Sequence, residues 1–451
     1  MSVPTMPMRR SEPAFTPPTP FGLAPDGLPR LLPAGTRAPQ GLQEHLARHG
    51  FVPYRDARLQ LAADLRAAGL TGRGGASFPA YRKLEAVAGA RGRPFVVANG
   101  AEGEPASSKD ASLLWLAPHL VPDGIQLAAE AVGAQEACLY LHDGPGDQIA
   151  ASLRQALTER WLARIDRVPV RLAGAPPRFL AGQETALVNV LNGGLALPAF
   201  TPPRVFERGV GGAPTLVQNV ETLAHTALIA RYGPGWFRQV GTQAEPGSML
   251  ATIRHADGMV RIVEAAVGTP LRDLLKADFG TDGTHGTAQA ILVGGYHGTW
   301  LPAPAAAGLT LDNAGLQAAG ASVGAGVLVA LPASSCGLAE TARVVRYLAL
   351  ESAGQCGPCL NGLPRIADGL AALAAPRPDA RVRTDIERWA RLVSGRGACH
   401  HPDGSVRFVR SALTVFAAEL RLHERGVCSA SSRQPFLPLP AGEPARDEDW
   451  S

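Results

Sequence analysis

The chain has 451 residues, 46% hydrophobic and 18% charged. That is too long for one ordinary core and too apolar for a disordered polyelectrolyte, so a prior of roughly two to four domains applies. Forty-three basic against 39 acidic side chains leave a formal charge of +4 with no dense Lys/Arg block, which argues against nucleic acid as a partner. No stretch approaches the roughly 18 apolar residues that span a bilayer, and the opening MSVPTMPMRRSEPAF lacks the apolar core of a secretion signal. The expected location is the cytoplasm.

In chain order, residues 1–45 are Pro-rich and aperiodic and predict an irregular arm. Over 46–243, helical patterns such as LQLAADLRAAGL (59–70) and GIQLAAEAVGA (124–134) alternate with strand-like FVVANG (95–100) and ACLYLHDG (137–144), the pattern of an α/β layer domain. Over 244–332, the short β-like runs MLATIRHA, MVRIVEAAVG, AILVGG and GVLVALP surround one helical piece, TPLRDLLKADFG; this predicts a β-rich α+β module. Over 333–428 only helical runs follow, the last being SVRFVRSALTVFAAELRLHERG, and they predict a compact helical bundle. Residues 429–451 regain the character of the arm and predict a flexible tail.

Five motifs carry candidate chemistry. In GLTGRGGASFP (69–79), Gly72, Gly74 and Gly75 expose main-chain amides between two predicted elements, as a phosphate cradle or an ordinary turn would. VVANGAEGEPASSKD (96–110) crowds Asn99, Glu102, Glu104, Lys109 and Asp110 at a strand's carboxyl end, where open α/β sheets bind ligands; a solvated loop is the alternative. AGQETALVNVL and APTLVQNVETL place Gln183, Glu184, Asn219 and Thr222 at helix starts, which suits either ligands or N-caps. In ESAGQCGPCLNGLP and the distant GRGACHHPDG, Cys356, Cys359 and Cys399 suit a metal or cluster. Only Lys83, Lys109 and Lys276 are lysines against a large excess of arginine. Lysines retained under such bias are expected where a planar guanidinium does not serve, with chance as the alternative and the favoured reading for Lys276.

Taken together, these motifs resemble the FMN- and NADH-binding flavoprotein subunit of respiratory complex I (the F-type subunit of NADH-quinone oxidoreductase) and its relatives in soluble hydrogenases and NAD-linked formate dehydrogenases. The family's GRGGAGFP is matched by GRGGASFP, N-A-D-E-x-E-P-G-x-x-K-D by NGAEGEPASSKD, C-G-E-E-T-A-L by AGQETAL, P-T-x-x-N-N-V-E-T-L by PTLVQNVETL, and E-S-C-G-x-C-x-P-C-R-x-G by ESAGQCGPCLNG. The resemblance runs from about residue 55 to 425. It implies an α/β flavin-binding domain, a β-grasp-like (SLBB-type) domain and a C-terminal helical-bundle Fe–S domain.

The resemblance further implies an FMN held by Gly72, Arg73, Gly74, Gly75, Ala76, Phe78, Lys83, Asn99, Glu102, Lys109, Gly182, Gln183, Glu184, Asn219 and Thr222, with Glu104 orienting the electron donor. Electrons would leave through an Fe–S cluster to a ferredoxin-like or membrane reductase partner, within a hetero-oligomer peripheral to a membrane complex. The alternative is a non-catalytic assembly or relay subunit that has lost pyridine-nucleotide oxidation. Three departures bear on this. Thr201 and Arg204 fall on a lysine and a phenylalanine of the family's dinucleotide site, and Ala86 on an aromatic, so NAD(H) and NADP(H) both stand as donors, with Arg204 suited to a 2′-phosphate. Ala353 falls on the first cluster cysteine, leaving Cys356, Cys359 and Cys399 for a 4Fe–4S centre. His400, His401 or Asp403 would supply the fourth ligand.

Overall fold

The computed structural model describes residues 20–22, 27–33, 35, 37–57, 60–142, 147–279 and 287–440. Among them the strands form two sheets. The first contains β2 (Phe95–Asn99), β3 (Glu136–His142), β4 (Val170–Ala175) and β5 (Thr215–Asn219), all parallel, in the order β4-β3-β2-β5. The runs FVVAN (β2, central) and TLVQN (β5, at the edge of the sheet) are buried over their first four residues rather than at alternate positions, because the strands of a parallel sheet are covered on both faces. The helices Leu120–Val132 and Val220–Phe237, both buried along most of their length, supply much of that cover.

The strand order locates the site. From β2 the chain moves outward through β3 and β4, then returns to place β5 on the other side of β2. The crossovers therefore reverse between β2 and β5, and the crevice at the carboxyl ends of those two strands is where such sheets receive ligands. The register sets Asn99 directly opposite Asn219 at that edge.

The second sheet contains β1 (Pro20–Gly22), β6 (Ser248–Arg254), β7 (Val260–Ala266), β8 (Ala288–Val293), β9 (Thr299–Pro302) and β10 (Val327–Pro332), in the order β1-β7-β6-β10-β8-β9. One of its faces packs on the helices Gly337–Leu350, Leu363–Ala374, Ala380–Val393, His401–Val415 and Ala417–Glu424 through Leu292, Trp300, Val329, Leu338 and Phe408.

Four expectations are corrected. The arm expected to be irregular contributes β1, parallel to β7, and Leu31 and Leu32 are buried with the Arg30 and Leu31 N–H groups donating to Glu264; residues 1–19 lie outside the described part. The tail expected to be flexible is held over 429–440. Leu437 is buried, its N–H donates to Glu340 at 2.7 Å, and Tyr296 donates its hydroxyl to the Pro438 carbonyl; residues 441–451 lie outside. TPLRDLLKADFG forms two single turns, Leu271–Leu274 and Lys276–Phe279. The last helical run breaks at Phe416, whose ring is buried edge-on against Trp300. Local periodicity shows none of these, because each depends on a partner distant in sequence.

Candidate active site

The loop from Gly72 to Phe78 lies beside the switch-point crevice. It is closed by the Gly72 N–H donating to the Phe78 carbonyl at 2.8 Å, and the Arg73 N–H donates to Thr222 Oγ1 at 2.9 Å. Gly75 has φ +102°, a conformation side chains resist. Ser77 also sits in the left-handed region at φ +49°, and its hydroxyl accepts from Asn313 Nδ2 of the second module. The helix Ala80–Ala88 starts directly after the loop and Val220–Phe237 starts beside it. Amides from a glycine turn together with helix starts are the donor set an anionic phosphate needs, so the residues present fit the expected FMN. Arg73 itself is turned away, with its guanidinium donating to Thr71 Oγ1 and to the Ser248 carbonyl.

The polar residues of the crevice mostly brace one another. Asn99 Nδ2 donates to the Gly182 carbonyl at 2.8 Å while its Oδ1 accepts the Ala101 N–H, which ties the β2 edge to the 181–184 turn. Gln183 and Asn219 are N-caps: Gln183 Oε1 accepts the N–H of Thr185 and Ala186, and Asn219 Oδ1 that of Glu221. Glu102 accepts the N–H groups of Lys109, Asp110 and Ala111 and so closes the start of the helix Lys109–Leu116. Lys83 Nζ reaches Glu184 at 3.0 Å and the Val217 carbonyl at 3.3 Å.

Beneath this layer Lys109, 3% exposed, places Nζ 2.7 Å from Asp110 and 2.9 Å from Glu221, and Asp110 accepts Asn219 Nδ2. Burial opposes the Glu221 charge, but the Lys109 ammonium, with His225 and Arg73, holds its carboxyl down at about 2. Burial outweighs the ammonium at Asp110 and, helped by Glu102 and Glu221, pushes it up to about 7. Lys276, by contrast, lies exposed on a surface turn.

Glu104 crosses from the first domain to the second. Its Oε2 accepts the Tyr296 N–H at 2.7 Å and its Oε1 that of Ala106. Burial, against these two bonds and helped by Glu102, pushes its carboxyl up to about 7. With an unfolded value near 4.5, the folded protein holds the extra proton between pH 4.5 and 7. Stability thus falls as pH rises through that window and levels above it. The Glu104→Gln variant is expected to lose this decline, so the difference between the wild-type and variant stability curves narrows steadily from pH 4.5 to 7; parallel curves across the window in urea titrations contradict the assignment.

The cysteine loop packs against the same 181–184 turn. Ala353 contacts the cluster of Leu180, Ala181 and Ala196, and Arg178 pairs with Glu351 at 3.1 Å with both side chains buried. Phe179 stacks edge-on against His297 and Tyr347 and lies near His401. Cys359 is buried in a π-helical turn, Pro358–Gly362, with Cys356 and Cys399 partly exposed nearby. Burial pushes the Cys359 thiol up to about 12, with Cys356 and Cys399 adding to it, and burial raises Cys399 as well. Cys356 and Cys359 stand three residues apart at the turn Pro358–Gly362 and Cys399 acts on the Cys359 thiol, so three of the four donors that a cluster takes are present here, and a bound cation is what ionises such a set.

Of the residues beside Cys399, His401 is committed: it is 2% exposed, its Nε2 donates to the Leu348 carbonyl at 2.8 Å, and its Nδ1 meets His297. Asp403 accepts the Gly395 N–H at 2.7 Å, while His400 is exposed at the start of the His401–Val415 helix. On the outer side, Phe78 is 44% and Phe200 83% exposed, and Thr201 and Arg204 share that open stretch. Sequence reasoning missed Tyr296 and Asn313, which reach the site from the second module and carry no local signal.

Known proteins share this arrangement. Residues 65–227 match the model of the Nuo51 FMN-binding domain, and residues 339–423 that of the NADH-ubiquinone oxidoreductase-F iron-sulfur binding region. The chain is 30% identical over 370 residues to the second F-type NADH-quinone oxidoreductase subunit of Rhizobium meliloti, covering 78% of this chain and 86% of the relative. It is 30% identical over 378 residues to the F-type NADH-quinone oxidoreductase subunit of Streptomyces coelicolor, covering 81% and 83%. Among solved structures, an NAD+-reducing nickel–iron hydrogenase in the H2-reduced state superposes with a TM-score of 0.73 at 26% identity, over 85% of this chain and 67% of that one.

Proposed function

Because the chain belongs to the family of F-type NADH-quinone oxidoreductase subunits, we propose that it is an FMN- and Fe–S-containing electron-transfer oxidoreductase subunit that oxidises NADH. FMN supplies the chemistry by which a two-electron donor is coupled to one-electron carriers. The observation that carries the reading is the docking of the cysteine loop on the 181–184 turn: Asn99 and the buried Arg178–Glu351 pair fix one turn between the switch-point crevice and the three cysteines. A flavin site and a cluster site that share a wall are what electron transfer between them requires.

Main-chain amides within Gly74–Phe78 would hold the phosphate, the Gly72 and Arg73 N–H groups closing the loop, with Asn99 and the Gly182 turn beside the ring. Asn219 and Thr222 position the loop and the adjacent helix start. Glu104, bonded to the Tyr296 N–H, is a positioning residue that sets the second module against the crevice. We assign the second module to the β-grasp class and the helices after it to an Fe–S bundle. Cys356, Cys359 and Cys399 would ligate the cluster with His400, exposed beside Cys399, as the fourth ligand; His401 is committed to the Leu348 carbonyl and His297, and Asp403 has one oxygen on the Gly395 N–H.

Among the described residues no helix is long and apolar enough to cross a membrane. The matched relatives are named as subunits, and an electron-accepting partner of ferredoxin-like or membrane-reductase type, met in the cytoplasm, suits this reading. The test is spectroscopic. The pure protein is expected to carry flavin absorbance with a broad Fe–S shoulder, and anaerobic NADH is expected to bleach it. Arg204 makes NADPH the second addition. Flavin and iron both bound, with no bleaching by either nucleotide, would overturn the reading in favour of an assembly or relay role.

A further inference from the structure

Far from the flavin crevice, four metal-binding side chains converge where the final helical segment begins and ends. The donor atoms of Cys336, Glu419, His423 and Cys428 all lie within 4.8 Å of one another. Cys336 precedes the helix Gly337–Leu350 as its N-cap, and its Sγ accepts the Ala339 N–H. Glu419 and His423 stand one turn apart on the last helix, Ala417–Glu424, and Cys428 follows it. The first helix of the segment has 14 residues, so its rise of about 1.5 Å per residue sets Cys336 roughly 21 Å from the start of the Cys356 loop. The two sets of cysteines are therefore separate.

Each donor is aimed inward. The His423 Nδ1 meets the Leu373 carbonyl at 3.1 Å; that oxygen only accepts, so Nδ1 carries a proton and Nε2 faces the other three donors. Nε2 lies 3.6 Å from Cys336 Sγ and 3.0 Å from Glu419 Oε1. Glu419 is held in place by Ser429, whose N–H donates to Oε1 at 2.9 Å and whose hydroxyl donates to Oε2. Around one tetrahedral ion with metal–sulfur bonds of about 2.3 Å and metal–nitrogen or –oxygen bonds of about 2.0–2.2 Å, donors stand roughly 3.3–3.8 Å apart; the 3.6 Å Cys336–His423 spacing falls in that range, the 3.0 Å His423–Glu419 spacing needs a small opening, and every other spacing is at most 4.8 Å. Cys336 and His423 are buried while Cys428 is exposed, which gives an ion a way in.

We propose that Cys336, Glu419, His423 and Cys428 bind one structural zinc ion that clasps the two ends of the helical segment. Two thiolates, an imidazole and a carboxylate form a closed four-ligand set, and that mixture with tetrahedral spacing selects zinc over magnesium or calcium. The inference is independent of the flavin reading.

The test is metal analysis of the full-length holoprotein after exposure to zinc and desalting. One zinc per chain is expected. Absorption at the zinc edge should show two sulfur neighbours at about 2.3 Å and two light-atom neighbours at about 2.0–2.2 Å. The Cys336→Ser/Cys428→Ser double variant is expected to lose the zinc and keep its iron and flavin, whereas Cys356→Ser/Cys359→Ser should lose iron and keep zinc. Ser429→Ala, which leaves all four ligands in place, should weaken zinc about 10- to 100-fold in chelator competition. Zinc absent from the wild type, zinc kept by the first double variant, or a Cys336–Cys428 disulfide in the purified protein would each overturn the proposal.

Discussion

Replacing Lys109 with methionine is expected to lower stability by about 3–5 kcal/mol, the range for removing one partner from a buried ion pair. The ammonium is enclosed between Asp110 and Glu221, and Glu221 is fully buried. Methionine fills the volume but leaves Asp110 and Glu221 facing each other with only the Arg73 guanidinium, 4.0 Å from Glu221, as a nearby cation among the described residues, and burial penalises both carboxyls. The damage spreads. Glu221 Oε1 accepts the Leu250 N–H of β6, joining the first domain to the second sheet, and Asp110 holds Asn219, the cap of the helix beside the glycine loop. Lys109→Arg keeps the charge but brings a wider head into the same space, so its loss should be smaller than that of methionine yet measurable. Urea denaturation checks both; a Lys109→Met protein with wild-type stability would show that the triad is not the support described.

The second large effect is expected at Gly182. A Cβ there would stand 2.5 Å from the Ala101 carbonyl oxygen, a separation that forces the backbone to move. The Gly182 carbonyl is also the acceptor for Asn99, so Gly182→Val displaces the turn and releases the asparagine at the crevice. If the displaced turn and the released asparagine each forgo one hydrogen bond to the flavin, at about 0.5–1.5 kcal/mol apiece, FMN binding is expected to weaken by about 5- to 150-fold. Gly235→Ala, at a position where a Cβ meets nothing within 4 Å, should bind FMN as wild type does. Equal affinity in the Gly182 variant would remove the turn from the flavin site.

Much of the fold was readable because its signals are local. The apolar run at Phe95–Asn99, the helical period at Gln60–Ala68 and the capping residues Gln183 and Asn219 each express a preference of a few neighbouring residues. The rest depends on contacts that no window contains. β1 joins the second sheet against β7, about 240 residues later in the chain. Glu102 has the chemistry of a ligand-binding acid and in the fold closes a helix start, accepting three N–H groups seven to nine residues later in the chain. Ser77 adopts a left-handed φ of +49° that favours glycine, a strain that no local preference of the sequence shows. Cys336 and Cys428 are 92 positions apart, 428 − 336, and their convergence follows only from how the helices fold back.

The central claim is that main-chain amides of the Gly72–Phe78 loop, those from Gly74 onward, backed by the β2–β5 edge, hold a flavin phosphate. Fluorescence titration of FMN into cofactor-stripped full-length protein tests it most directly. The account predicts quenching that saturates at one flavin per chain; a flat titration from protein whose circular dichroism is unchanged would contradict it.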